Sequence, residues 1–152
     1  AGIKSQIISQ QVGLIDLMPT ISELVEIKES IFDNNGQSIV DLIRGKKIPE
    51  LPIFMETSQL IQKKANVVIG IRTPRYKYFR DSEDPNKRIH LYDLKLDPFE
   101  NENISKQFPK IINELENILE SILNYTFDKF KKETNDDDTK KIEDELKKWG
   151  YI

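Results

Sequence analysis

The sequence predicts an α+β domain: a small antiparallel sheet of three to four strands packed against a long C-terminal helix, with helices at the N-terminal end. Two patterns predict this fold class. In the middle of the chain, short β-branched and aromatic runs alternate with turn residues, as in strands joined by tight connections. Near the end, apolar residues recur every three to four positions over more than 20 residues, which is typical of one long amphipathic helix.

The N-terminal zone is predicted to contain two helices. In "LIDLMPTISELVEI", Asp16 is a candidate N-cap, and Pro19 fits the first turn, where the N–H that proline lacks would be unpaired in any case. A turn at residues 34–36 then precedes a shorter helix. Gly45 is placed to end that helix in the left-handed conformation, which glycine adopts readily.

The middle zone is predicted to form a meander of strands. Pro74 fits the second position of a turn, so Ile69–Arg72 and Tyr76–Arg80 are expected to pair as a hairpin. The turn residues of "DSEDPNK" then return the chain into "RIHLYDL", a third strand. Residues 51–57 supply a fourth strand if they join the sheet.

The C-terminal zone is predicted to be helical. Pro109 suits the first turn of the long helix. Its predicted apolar face consists of Phe108, Ile111, Ile112, Leu115, Ile118, Leu119, Ile122, Leu123, Phe127 and Phe130. The acidic run at 135–138 ends this helix, and a shorter one with Ile142, Leu146 and Trp149 on one side follows.

Composition excludes several classes of function. The chain has no cysteine, so disulfide bonds and thiol catalysis are excluded. No apolar run approaches the roughly 20 residues of a membrane span. The 23 basic and 26 acidic side chains are interspersed, which argues against a broad nucleic-acid-binding surface. The chain begins Ala-Gly rather than with methionine, so we expect it to be a processed or excised piece of a longer protein.

The stretch "HLYDLKLDPFENENIS", residues 90–105, raises the question of a metal site. Its acidic residues match no calcium-loop spacing. Asp97 can instead accept bonds from nearby backbone N–H groups, Pro98 fixes its own backbone, and Asn103 or Ser105 can cap the segment after the turn. We therefore interpret the stretch as a turn, and we predict no metal-binding residue.

Possible contacts to an anionic substrate or partner are three residues of the hairpin and one of the third strand. They are Arg72, Arg75, Lys77 and His90. Strand alternation places Arg75 and Lys77 on one face and Tyr76, Tyr78 and Arg80 on the other, so the hairpin could present aromatic and cationic groups to an anionic sugar or nucleic acid. We favour the alternative, in which both tyrosines enter the core. A Ser-His-Asp arrangement would have to use His90, and a single histidine in a strand is more typical of packing, so no catalytic residue is predicted.

The order of motifs resembles the C-terminal region of sulfatases, the arylsulfatase-like enzymes of the alkaline-phosphatase-like superfamily. The segments are "VGLIDLMPTISELVEI", "NNGQSIVDLIRGK", "IGIRTPRYKYFRD", "LYDLKLDPFENENIS" and "LKKWGYI". The most specific parts are the string from Tyr92 to Asn103 and the hairpin from Arg72 to Tyr78. At Glu26 such families tend to carry glycine, so the first helix is expected to end differently here.

The resemblance implies a parent enzyme that hydrolyses sulfate esters, using a formylglycine made from a Cys/Ser-x-Pro-x-Arg motif and a divalent metal, calcium. None of the seven prolines has Cys or Ser two residues before it, and the family's Ser-Asp-His-Gly-like metal motif is absent. The chain alone is therefore expected to lack the nucleophile and the cofactor site. The alternatives are a noncatalytic binding or interaction module and a piece of a related phosphoester hydrolase.

The resemblance also implies a division of the chain. Residues 1–50 would be the end of the catalytic domain, and residues 51–152 the C-terminal antiparallel sheet with its helices. The expected partner is the missing N-terminal catalytic domain. In its absence we expect self-association through residues 1–45, and we predict no nucleic-acid or membrane partner.

Overall fold

The computed structural model describes residues 5–27, 36–57 and 67–133. The chain divides into two compact units, residues 1–109 and 110–152. Three predictions lie outside the described part of the chain: the turn at 34 and 35, the side chains of Phe127 and Phe130, and the short helix around Leu146. Within the described ranges, no helix is both long enough and apolar enough to cross a membrane.

The first helix is preceded by a short 3₁₀ turn. The turn covers Leu14–Asp16, and helix α1 runs directly on from it over Leu17–Leu24. The prediction that the Asp16 side chain caps α1 is wrong. Asp16 already has helical backbone angles, with φ −77° and ψ −13°, and its side chain makes no capping hydrogen bond to the helix. Its carboxylate points back instead and accepts hydrogen bonds from the backbone N–H groups of Gly13, at 2.8 Å, and Gln37, at 2.9 Å.

A close backbone contact brings residue 36 against the 3₁₀ turn. A Cβ atom at Gly36 would lie 2.2 Å from the carbonyl oxygen of Ile15, so only glycine fits there. Together with the Asp16 to Gln37 bond, this contact fixes the start of the segment that carries helix α2, Val40–Ile43. Gly45 follows α2 with φ 84°, so the predicted left-handed end is confirmed.

Glutamine side chains attach the extended N-terminal segment to the chain beyond α2. The Nε2 groups donate to backbone carbonyl oxygens: Gln6 to Ile43 at 2.6 Å, Gln10 to Ile48 at 2.7 Å, and Gln11 to Leu51 at 3.0 Å and Arg72 at 3.1 Å. Gln37 makes the same kind of bond to Pro49 at 2.7 Å. We call these four residues the glutamine clamp.

The sheet has four antiparallel strands in sequence order. They are β1 (Ile53–Glu56), β2 (Val68–Arg72), β3 (Tyr76–Asp81) and β4 (His90–Asp93). The predicted hairpin is confirmed, with Ile71 opposite Tyr78 and Arg72 opposite Lys77. β1 pairs with β2, so residues 51–57 do supply the fourth strand.

One face of the sheet is buried and the other is mixed. Ile69, Ile71, Tyr78 and Leu91 share the buried face and are at most 7 % exposed. On the opposite face, Gly70 lies across from Phe79, and a Cβ atom at Gly70 would lie 2.2 Å from the Tyr78 carbonyl oxygen. Glycine is thus required at this position of β2, because a side chain would collide with the backbone of β3.

The long helix α3, Pro109–Glu133, begins at the predicted proline, and all of it after that residue belongs to the second unit. Leu115 and Leu119, four positions apart on one helical face, are buried. The described chain therefore contains the predicted elements of the α+β fold: N-terminal helices, a four-stranded antiparallel sheet and a C-terminal helix.

Candidate functional site

Three of the four candidate contact residues lie around the β2–β3 turn, and the fourth, His90, lies opposite Phe79, three residues further along β3 than Tyr76. Arg72 ends β2 and is exposed, Arg75 lies in the turn, Lys77 is on β3 and His90 begins β4. Thr73 closes the turn, because its hydroxyl accepts the Tyr76 N–H at 2.9 Å and its own N–H donates to the Tyr76 carbonyl at 2.8 Å.

Arg75 is held by a buried carboxylate. Its Nε and Nη2 groups donate to Asp93 Oδ2 at 3.0 and 2.9 Å, and its guanidinium carbon lies 4.9 Å from the centre of the Tyr76 ring. Asp93 stands directly opposite Tyr76 in the sheet. The expectation that Arg75 shares a face with Lys77 is therefore wrong, since a turn residue is not bound to the alternation of the strand that follows it.

The pKa values of Arg75 and Asp93 are both shifted by their ion pair. The hydrogen bond to Asp93 raises the pKa of Arg75. Burial by itself would raise the pKa of Asp93, but hydrogen bonds from Arg75 and from the Lys95 N–H leave that pKa lowered overall. Both groups are thus charged near neutral pH, and the charge of Arg75 is already compensated.

The charge of Lys77 is also compensated by a carboxylate, on the other face of the sheet. Its Nζ lies 2.5 Å from Glu100 Oε2 and 5.9 Å from the centre of the Phe79 ring. Glu100 reaches this position through a left-handed backbone, with φ 58°. The sequence did not reveal either acidic partner, although Asp93 could have been found from the hairpin register once β4 was in place.

His90 belongs to a cluster of stacked rings. It lies 4.6 Å from the centre of Phe79 at an interplanar angle of 11°, and 6.1 Å from Tyr92. Burial raises the pKa of Tyr92, and the charges of Glu100 and Asp97 raise it further. Phe79 covers one side of the His90 ring, and Tyr78, on the opposite face of the sheet, is buried. Neither face of the sheet therefore presents a row of open aromatic rings made by these residues.

Asn103 ties the loop after β4 back to that strand. Its Oδ1 accepts the N–H groups of Leu91, at 3.1 Å, and Ser105, at 3.0 Å. Its Nδ2 therefore points the other way, donating to the Ile89 carbonyl at 3.1 Å and lying 3.3 Å from His90 Nδ1. His90 Nδ1 also lies 3.0 Å from the Tyr92 hydroxyl. Nδ2 can only donate, so a bond from Asn103 requires the His90 tautomer whose Nδ1 carries no proton.

Asp97 organises the turn in this loop. Its Oδ2 accepts the Glu102 N–H at 2.8 Å, and its Oδ1 accepts the Asn101 side-chain amide at 3.0 Å. The Glu102 bond is the main reason that the pKa of Asp97 is lowered. These are turn contacts of the kind that the sequence predicted. In the described ranges, no group of three His, Cys, Asp or Glu side chains is arranged to hold a metal ion.

A cavity of about 350 Å³ lies between the hairpin turn and this loop. Arg75, Tyr76, Asp93, Asp97, Glu102 and Phe108 contribute to its wall. Each of its carboxylates already accepts a hydrogen bond, including Glu102, whose Oε1 accepts from Gln107 Nε2 at 3.2 Å. Among the residues that the structure describes, only Asp93 of these carboxylates is paired with a cation, Arg75, so the wall of the cavity carries more acidic than basic side chains.

A second candidate site is an apolar surface around α1. Its members are 40 to 87 % exposed, and we call them the N-terminal apolar surface: Val12, Leu14, Ile15, Leu17, Met18, Ile21, Leu24 and Val25. The Asp16 bonds and the glutamine clamp hold the backbone beneath it. Contiguous apolar surface of more than a few hundred Å² usually marks an interaction site.

Several known proteins are similar to this chain in sequence. The family described as "N-sulphoglucosamine sulphohydrolase, C-terminal" matches residues 2–125. Arylsulfatase K of Gallus gallus is 31 % identical over 129 residues, which cover 80 % of this chain and 24 % of that protein. An N-acetylgalactosamine-6-O-sulfatase of Bacteroides thetaiotaomicron is 31 % identical over 81 residues, covering 45 % of this chain and 16 % of that protein.

The solved structures agree with the sequence matches. A 2-O GAG sulfatase has a TM-score of 0.62 and 26 % identity, over 78 % of this chain and 26 % of that one. The chain thus spans about a quarter of the length of the relatives that it matches over most of its own length. The fold, the motif order and these matches place it in one family: the chain belongs to the N-sulphoglucosamine sulphohydrolase C-terminal family and is a C-terminal portion of a sulfatase.

Proposed function

We propose that the complete protein hydrolyses sulfate esters and that this chain completes the fold of the catalytic portion without supplying its reactive groups. The family match over residues 2–125, in a chain that spans 24 % of the arylsulfatase K length, carries this proposal. The formylglycine and the calcium ion would belong to the rest of the protein. In the family, these two groups supply the nucleophile and the charge that stabilises the sulfate.

The residues present do not fit either group. Formylglycine requires Cys or Ser two residues before a proline, and the chain offers no such position. Calcium prefers six to eight converging oxygen ligands. The carboxylates of Asp93 and Asp97 are instead directed at Arg75 and at the Glu102 N–H. We therefore assign no catalytic step to this chain.

The partner of the N-terminal apolar surface would be the catalytic portion of the same protein. In this proposal, residues 1–50 are the last segment of the catalytic domain and residues 51–152 form the C-terminal subdomain. Val12 and Val25, at 44 and 59 % exposure, lie at opposite ends of that surface in sequence, so the expected contact involves the 3₁₀ turn and all of α1.

The test compares the 152-residue chain with a longer chain that adds the catalytic portion. We expect the short chain to hydrolyse neither aryl sulfates nor aryl phosphates, with or without calcium, and the longer chain to hydrolyse aryl sulfates. The matched control is the longer chain with the formylglycine precursor changed to alanine, which should be inactive. Activity of the short chain, or a preference of the longer one for aryl phosphate, would contradict the proposal, the latter in favour of a phosphoester hydrolase.

One observation favours a second candidate function, a noncatalytic contact to an anion at the hairpin. Arg72 is exposed and has no acidic partner among the residues that the structure describes, whereas Arg75 and Lys77 do have one. A sulfated disaccharide titrated into the chain should then bind more weakly to Arg72→Ala. Lys95→Ala, which removes another exposed cation, is the control and should bind as the parent does. Equal binding by all three would exclude this function.

A further inference from the structure

Two tripeptides of the chain have the acceptor pattern for N-linked glycosylation, Asn-x-Ser/Thr with x other than proline. They are Asn103-Ile104-Ser105 and Asn124-Tyr125-Thr126. Both asparagines are exposed, so exposure alone does not distinguish them. The transferase attaches the sugar to the side-chain amide nitrogen, so the hydrogen bonds of that nitrogen in the folded chain are the relevant difference.

The amide nitrogen of Asn103 is committed to the fold. It donates to the Ile89 carbonyl at 3.1 Å and lies 3.3 Å from His90 Nδ1, while the amide oxygen accepts two backbone N–H groups. A sugar on Nδ2 would replace one of these N–H groups and would have to occupy the space beside β4. A glycan at Asn103 would therefore disturb contacts by which this loop is attached to β4.

The amide of Asn124 is not used in this way. The residue lies on α3, and within the described part of the chain its carboxamide makes no hydrogen bond. Tyr125 is 50 % exposed, and the Thr126 hydroxyl donates only to the Ile122 carbonyl of the same helix, at 2.9 Å. A glycan at Asn124 would thus displace no hydrogen bond among the residues that the structure describes.

We propose that Asn124 is an N-glycosylation site of this protein and that Asn103 is not. The co-reactant is an oligosaccharide linked to a polyprenyl diphosphate. A bond forms between Asn124 Nδ2 and C1 of the first sugar, the bond from C1 to the phosphate oxygen breaks, and the lipid diphosphate leaves with the electron pair. The amide proton passes to a base of the transferase. This inference does not depend on the proposed hydrolase activity.

The test is secretion of the 152-residue chain from a eukaryotic host behind a signal peptide. The intact mass of the secreted, folded protein is measured before and after treatment with peptide N-glycosidase. We expect one glycan on the parent chain and on Ser105→Ala, and none on Asn124→Gln or Thr126→Ala. Two different changes disrupt the second acceptor site, so a folding defect in one variant does not decide the result.

Two outcomes would overturn the proposal: an unmodified parent chain, or a glycan that remains on secreted Asn124→Gln. If a variant is not secreted, the chain is translated in the presence of microsomes. Glycosylation of Asn124 can then be measured without secretion. The parent chain must then carry a glycan that Asn124→Gln loses. The absence of such a loss would equally refute the assignment.

Discussion

Glu26 occupies a backbone conformation that glycine normally supplies. Its φ is 59°, directly after α1, and the N–H groups of Glu26 and Ile27 donate to the carbonyls of Glu23, at 3.2 Å, and Ser22, at 3.0 Å. These are the two bonds of a Schellman motif. The expectation of a different helix end, drawn from the missing glycine, is therefore wrong. The hydrogen bonds hold the left-handed turn even with a side chain in place.

Replacing Glu26 by glycine should stabilise the chain. A non-glycine residue in the left-handed region costs roughly 1–2 kcal/mol, from which the greater unfolded-state entropy of glycine, roughly 0.5–1 kcal/mol, must be subtracted. We expect Glu26→Gly to raise the free energy of unfolding by about 0.5–1 kcal/mol in urea denaturation. Glu26→Ala is the control and should bring no such gain. A gain of equal size in both variants would mean that the glutamate side chain itself is unfavourable there.

At the scale of the elements, the turn between β3 and β4 depends on one carboxylate. Asp81 Oδ1 accepts the N–H groups of Glu83, at 2.8 Å, and Asp84, at 3.1 Å, and its Oδ2 pairs with the Arg88 guanidinium. The pKa of Asp81 is lowered from 3.8 to about 2, and the hydrogen bond from Arg88 is the largest cause of this shift. Asp81 thus joins the start of the turn to Arg88, two residues before β4.

This pKa shift predicts how stability depends on pH. A carboxyl whose pKa is lower in the folded chain stabilises the fold above its unfolded pKa, and that contribution is lost as the pH falls through the folded value. For Asp81 the loss begins near pH 4 and is complete below about pH 2. We expect the melting temperature to fall less steeply between pH 5 and 2 in Asp81→Asn than in the parent chain.

The control for this experiment is Glu83→Gln, which removes an exposed carboxyl from the same turn. Its melting temperature should follow the pH as the parent's does. If Asp81→Asn and Glu83→Gln behave alike, general charge repulsion rather than the Asp81 contacts governs the acid sensitivity.

The sequence predicted elements better than it predicted contacts. The hairpin around Pro74 and the start of α3 at Pro109 follow from local backbone chemistry, which the residues themselves carry. The pair between Lys77 and Glu100 joins residues 23 positions apart and depends on a left-handed glutamate that nothing local signals. Asp16 was predicted to cap α1, but its second partner, Gln37, is brought near by the fold alone.

For the whole molecule, the main feature is the N-terminal apolar surface. All its members are large apolar side chains, and most of them belong to α1 or to the 3₁₀ turn before it. Burial of apolar area stabilises by roughly 25 cal/mol per Å², so a surface of a few hundred Å² is sufficient to drive association. In the 152-residue chain without the catalytic portion, we expect a second copy to cover this surface.

We therefore predict concentration-dependent self-association of the chain. Sedimentation equilibrium over a hundredfold concentration range should show an average mass rising above 17.8 kDa. Ile21→Asp and Leu24→Asp should keep the monomer mass, because they place charges on the surface that associates. Leu96→Asp, which changes an 81 % exposed leucine far along the chain, is the control and should associate as the parent does. A parent chain that stays monomeric throughout would contradict the prediction.

The glutamine clamp has a consequence for how this region can diverge during evolution. Each glutamine donates to a main-chain carbonyl oxygen, at Ile43, Ile48, Pro49, Leu51 or Arg72, and every amino acid, proline included, carries that acceptor. Substitutions at the acceptor positions therefore leave the bonds available. A change from glutamine to glutamate removes the donor and sets a carboxylate against a carbonyl oxygen. Substitutions are thus tolerated at the acceptor residues and restricted at the glutamines.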